Sequence, residues 1–271
     1  MLMRNAGGAG AYWDYGWETA PLVDATRMMP HGLVYRLTSD AWDGAPVAED
    51  ERLWRDDFWP IATSPWVAPR GYDWTAQEVY ARVFHVRAKV HADTGRWARA
   101  ESEEKIAERL RPDFAETRAF LGLALMAQKK LAAAKAESDM SLQLDPLCSF
   151  CRSVAGQMRL LAGDRDGALA EYREAVRLED NNVDYATRLI KLLIERQAWA
   201  EAARVAERAM PFSRDLTQWT SLQLYAARAT IGLSRCDRAR PHLRAVQKWN
   251  PFTPALNDLL AACGFKPGAD L

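Results

Sequence analysis

The chain has 271 residues, of which 49% are hydrophobic and 27% charged, a balance that specifies a folded protein rather than a disordered one. Its 36 Lys and Arg equal its 36 Asp and Glu, so no overall electrostatic pull toward nucleic acid or an anionic membrane is expected. No run of about 18 apolar residues is present to span a bilayer, and the start, Met1 to Gly10, lacks the apolar core of a secretory signal.

Residues 1–72 carry six Arg, no Lys and ten acids, together with six of the eleven Trp and six of the thirteen Pro. This composition shift sets a boundary near Gly71, between a Trp- and Pro-rich irregular segment (1–72) and a helical domain (73–271). The best strand candidate in the first segment is Gly32 to Leu37, apolar with partial alternation. A short helix is expected within Glu49 to Asp57, and Pro60 to Gly71 reads as a loop. Asp40, Asp43, Glu49, Asp50, Glu51, Asp56 and Asp57 alternate with Trp42, Trp54 and Trp59. Trp rings packing onto the first helices are favoured there over a sugar platform or a calcium loop, whose pattern of alternating acids around a central Gly is not met.

Helical spacing begins after Asp73, a candidate cap. Val79, Val83, Phe84, Val86 and Val90 mark a first helix broken at Thr94-Gly95, and a second runs from about Trp97 to Leu110 before Pro112. Further on, Gly122 lies 34 residues before Gly156, Ala134 before Ala168, and Leu144 before Leu178, with Pro146 opposite Asp180. A fixed period in this range marks a stack of helix pairs, each too small to bury its apolar face alone. The frame extends back to Ala100, Leu110 and Pro112 and forward to Ala202 and Phe212. After a three-residue insertion it continues to Ala239, Trp249 and Pro251. The units are 81–114, 115–148, 149–182, 183–216 and 220–253, with a closing helix at 254–265. The recurring Ala, and Gly or Ala midway along the first helix, allow close helix approach. The recurring large residue is expected to pack under the next pair.

Leu121-Gly122…Ala134…Pro146 and Ala155-Gly156…Ala168…Tyr172…Ala175 resemble the tetratricopeptide repeat family, over roughly residues 81–265. The resemblance implies an all-α, tetratricopeptide-like solenoid of about five helix pairs plus a closing helix, preceded by the irregular segment with its short strand. Ser138, Glu104 and Ala206 stand where the family has a large aromatic residue. The resemblance also implies a concave face that binds a protein or peptide partner, at first-helix positions His85, Lys89, Leu123, Gln157, Lys191 and Arg228. Some members clamp a C-terminal carboxylate with Lys and Asn; the matching positions here, His85, Lys89, Ala119, Leu123, Ser153 and Gln157, do not form such a clamp. The stretch from Tyr12-Trp13-Asp14-Tyr15 to Met29-Pro30-His31-Gly32-Leu33-Val34-Tyr35-Arg36-Leu37 looks like a junction in a family of multi-spanning, glycosyltransferase-like membrane proteins with an extracytoplasmic tetratricopeptide tail. That resemblance implies an accessory tail associated with a membrane protein; a free-standing chain is expected to stay in the cytoplasm.

Cys148-Ser149-Phe150-Cys151 has the spacing of a redox pair at a helix start or of half a zinc site. Structural thiols at a repeat junction are favoured over a disulfide or redox pair, and that over a metal site, because Cys236 and Cys263 lie far apart in sequence. His31, His85, His91 and His242 are scattered, which favours surface or packing roles. Glu101, Glu103, Glu104 and Lys105 read as a solvated helix face with local ion pairs. No phosphate loop and no Ser/His/Asp order is present. The expected function is therefore a non-enzymatic scaffold without metal or cofactor, with no nucleic-acid partner. The accessory tail is the alternative, and a thiol-redox protein using Cys148 and Cys151 ranks last.

Overall fold

The fold is taken from a computed structural model, which describes residues 3–4, 11–14, 28–31, 34–37, 52 and 74–265. Of the sequence-predicted helix within Glu49 to Asp57 only Arg52 is described, and it is helical; the loop from Pro60, the cap Asp73 and the Trp-acid cluster lie outside the described residues. Four short strands, β1 (Met3–Arg4), β2 (Ala11–Asp14), β3 (Met28–His31) and β4 (Val34–Leu37), form an antiparallel sheet of order β1-β2-β4-β3. The last four residues of the strand candidate at Gly32 to Leu37 are β4, paired with β3 through Pro30 opposite Tyr35 and with β2 through Trp13 opposite Tyr35, while Gly32 and Leu33 lie outside the described residues.

Two compact units divide the chain, Met1–Pro146 and Leu147–Leu271. In the first, α1 (Trp74–Asp93) pairs with α2 (Trp97–Leu110), and α3 (Ala115–Ala127) with α4 (Leu131–Leu144); α2 packs on α3. In the second, the pairs are α5 (Ser149–Leu161) with α6 (Arg165–Leu178), α7 (Val183–Glu195) with α8 (Trp199–Ala209), and α9 (Leu216–Gly232) with α10 (Cys236–Trp249). The helix α11 (Pro254–Ala262) closes this unit against α9 and α10. These are five helical hairpins and a closing helix, the fold class implied by the 34-residue period.

The hairpin turns explain why the period is so regular. Gly95, Lys129, Gly163, Gln197 and Ser234 all have positive φ, between 57° and 81°. They recur at 34, 34, 34 and then 37 residues, the last step containing the insertion. Each ends the first helix of its pair in the left-handed region. The next amide then reaches back to a carbonyl five residues earlier, as Arg96 does to His91 (2.8 Å), Lys130 to Leu125 (2.9 Å) and Ala198 to Leu193 (2.8 Å). Only two of the five positions are Gly, and an L side chain in this region costs about 1–2 kcal/mol. Gln197→Gly is expected to raise stability by about 0.5–1 kcal/mol in urea unfolding, after the entropy that Gly adds to the unfolded chain. An unchanged or lower midpoint would contradict this account of the turn.

The Ala column is the tightest part of each hairpin. Ala100, Ala134, Ala168, Ala202 and Ala239 are all 0% exposed. The position midway along the first helix is equally close to its partner. A Cβ on Gly122 would sit 3.1 Å from the Ala134 carbonyl oxygen, and one on Gly156 would sit 2.6 Å from the Tyr172 ring. The column of large residues behaves differently from the expectation. Leu110 is buried, but Leu144, Phe212 and Trp249 are 39%, 42% and 62% exposed. They lie at or just after the ends of the second helices, in the last residues before each inter-hairpin turn.

The three-residue insertion is absorbed in two places. A single 3-10 turn, Met210–Phe212, follows α8, and Asp215 caps a longer α9 by accepting from the Gln218 amide at 2.8 Å. Asn182 and Asp164 cap α7 and α6 in the same way.

Candidate functional site

The binding positions implied by the sequence recur at equivalent points of successive first helices: Lys89, Leu123, Gln157, Lys191 and Arg228, spaced by 34 residues and then 37. Lys89, Lys191 and Arg228 are exposed, and Leu123 and Gln157 are half-buried. In the second unit, Lys191 and Arg228 are brought to one cleft of about 500 Å³, whose remaining wall includes Ile194, Trp199 and Tyr225. Tyr225 and Arg228 also line a second cleft of about 480 Å³ with Leu224, Ala255, Asp258 and Leu259. Helices α7 and α9 with Trp199 of α8 thus line the first cleft, α9 and the closing helix α11 the second, and the Tyr225 ring and Arg228 guanidinium of α9 belong to both. Glu195 in the first cleft is engaged by Arg165 at 2.6 Å, whereas among the described residues neither Lys191 nor Arg228 has a carboxylate within ion-pair distance. Gln157, with its amide oxygen turned toward α7, accepts from the Arg188 guanidinium.

His85 is not part of such a surface. It is 7% exposed, shares a 2.6 Å hydrogen bond through Nδ1 with Glu104 Oε1, and lies edge-on to Phe114 and Phe120. Glu104 is 0% exposed, and its Oε2 has no hydrogen-bond partner. Burial pushes the Glu104 carboxyl above the ordinary range, against the lowering effect of His85. The solvated face expected for Glu101, Glu103 and Glu104 is thus corrected. Glu104 fills the slot of the repeat's aromatic residue, and Glu103 accepts from Arg87 at 3.2 Å. Glu101 accepts from Lys105, Gln128 and Lys130 at 2.5–2.8 Å, stitching α2 to the turn between α3 and α4. His91 is buried without a ring hydrogen bond. Burial, then the charges of Arg87, Arg99 and Arg96, lower it to about 4, which keeps the ring neutral at pH 7.

The cysteines are joined in two disulfides, Cys148–Cys151 and Cys236–Cys263, with Cα atoms 5.2 Å and 5.6 Å apart. This corrects both the reading of Cys148 and Cys151 as unbonded thiols and the treatment of Cys236 and Cys263 as unrelated. The second pair is distant in sequence but close in space, because α11 folds back along α10. Cys148 caps α5, its sulfur accepting from the Cys151 amide at 3.0 Å. Both partners of this disulfide are buried, Cys151 at 0% and Cys148 at 8% exposed. Among the described residues no group of three or more His, Cys, Asp or Glu is arranged to hold a metal. Nor is any described helix long and apolar enough to cross a membrane.

No family model matches the sequence, and no curated protein matches it closely enough to count as a relative. Solved structures do match the fold. PilF of Pseudomonas aeruginosa is 18% identical over 69% of this chain and 85% of its own, with a TM-score of 0.55. Cut9 in its complex with Hcn1, from the APC/C, is 16% identical over 70% of this chain and 39% of its own, at 0.56. YrrB, described as a tetratricopeptide protein with an unusual peptide-binding site, is 14% identical over 66% and 90%, at 0.50. The chain has the tetratricopeptide-repeat fold.

Proposed function

We propose that the chain is a non-enzymatic scaffold that holds an extended segment of a partner protein in the groove formed by α7, α9 and α11. The carrying observation is the pair of clefts that share Tyr225 and Arg228. Together they offer an apolar wall, an aromatic anchor and cations without carboxylate partners, the ingredients of a peptide hot spot. The peptide-binding site named for YrrB supports the reading by likeness of fold. The acid–base pair His85–Glu104 is buried and lines neither cleft. Nothing in the described residues favours the accessory-tail reading over this one.

The test is a peptide-display selection on the whole chain, followed by affinity measurement on the K191E/R228E and Tyr225→Ala variants. Selected peptides are expected to lose at least tenfold in affinity with either, since central aromatic and Arg anchors are worth about 1–2 kcal/mol or more. Peptides that bind wild type and both variants alike would remove the groove from consideration.

A further inference from the structure

A net charge of zero conceals a segregated surface on the last hairpin. Helix α10 carries Arg238, Arg240, Arg244 and Lys248 against the lone Asp237. Arg240, Arg244 and Lys248 fall at every fourth residue, so they form one line along the helix with about 6 Å of rise between members. All three are exposed, and the opposite side of the helix is the buried one, through Ala239, Leu243 and Val246. Elsewhere in the same unit Arg173 is neutralised by Glu201 at 2.6 Å and Arg208 by Asp180 at 2.5 Å, both on second helices. Among the described residues no carboxylate lies within ion-pair distance of the α10 line. Two of its three cations instead sit over rings, Arg240 over Phe265 and Lys248 over Trp249, each at 5.0 Å. At the end of the line the turn into α11 exposes Trp249 at 62% and Phe252 at 93%. The Cys236–Cys263 disulfide ties the start of α10 to the closing helix and holds this arrangement in place.

We propose that this face docks on an anionic lipid surface. The three cations lie over acidic headgroups, and Trp249 and Phe252 enter the interfacial layer, where aromatic rings are favoured. A bound peptide is a poorer fit, because none of the clefts described above is lined by α10 residues and the aromatics stand out from the turn rather than lining a pocket. The charge complementarity is local, so the whole-chain balance does not oppose it: an ionic surface interaction is screened within about 8–10 Å at physiological salt.

The whole chain is tested by co-sedimentation with phosphatidylcholine vesicles, with and without phosphatidylglycerol. Binding is expected to the anionic vesicles only and to be released by high salt. Each cation near such a surface contributes about a fivefold gain in partitioning, so R240Q/R244Q/K248Q is expected to lower it on the order of 100-fold. Phe252→Ser is expected to lower it severalfold. All four side chains are exposed, and unchanged circular dichroism and thermal unfolding confirm that the variants are folded. Equal binding to neutral vesicles, absence of binding, or a triple variant that binds as well as wild type would each overturn the proposal. So would a preference for polyglutamate or single-stranded RNA over the anionic vesicles, which would assign the face to a macromolecular partner.

Discussion

Replacing His85 with Leu is expected to destabilise the first hairpin by about 3–5 kcal/mol, the cost of leaving a buried charged group without its partner. Glu104 is wholly buried and has His85 as its close polar neighbour at 2.6 Å, with its second oxygen already unpartnered. The double variant His85→Leu/Glu104→Leu removes both groups and should recover most of the loss, since a buried pair is often no better than an apolar pair of similar volume. Acid provides the second readout. A carboxyl whose folded pKa lies above its unfolded value, here 4.5, imposes a cost at neutral pH that vanishes once both states are protonated. The deficit of the single variant should therefore shrink as pH falls from 7 through 4.5, whereas a deficit caused by lost packing alone would not. A pH-independent deficit, or a double variant as unstable as the single one, would refute the assignment.

That pair also shows where the sequence was legible and where it was not. The 34-residue frame identified Glu104 as the residue in the aromatic slot, while the run Glu101, Glu103, Glu104, Lys105 suggested a solvated face. Position in the frame was the better guide, because backbone geometry decides burial before side-chain polarity does. The frame likewise placed the helices, since Ala at the closest approach and a break after each first helix are local requirements. It did not reveal that Lys129, Gln197 and Ser234 adopt the left-handed conformation of Gly95 and Gly163, because the residue types there carry no such signal. It could not pair Cys236 with Cys263, which depends on how α11 returns along α10. Of the cleft-lining residues, the sequence column named Lys191 and Arg228 but not Tyr225, which lines both clefts. It stands three residues before Arg228, one turn along the same helix face. The α10 charge line was hidden by the net balance of the whole chain.

Tyr172→Ala is expected to cost about 3–5 kcal/mol, as for other fully buried aromatics. The repeat itself supplies the compensating change. In the third hairpin, Gly156 faces Tyr172, and a Cβ at Gly156 would come within 2.6 Å of the ring. In the fourth, the equivalent positions are Ile190 and Ala206, both 0% exposed. The same interhelical space is thus filled from opposite sides, by the second helix in one hairpin and by the first in the next. Gly156→Ile alone forces a branched side chain into the Tyr172 ring and is expected to cost at least 3 kcal/mol, at the upper end of overpacking. Gly156→Ile/Tyr172→Ala copies the neighbouring hairpin and should be markedly more stable than either single variant, a favourable coupling in the upper part of the roughly 0.5–3 kcal/mol seen for contacting residues. Additive losses in urea unfolding would mean that the two hairpins differ in helix spacing, so that their fillings cannot be exchanged. Coupling of the expected sign would show that the large aromatic of the repeat is one of two ways to fill a common gap, and that Glu104 with His85 is a third.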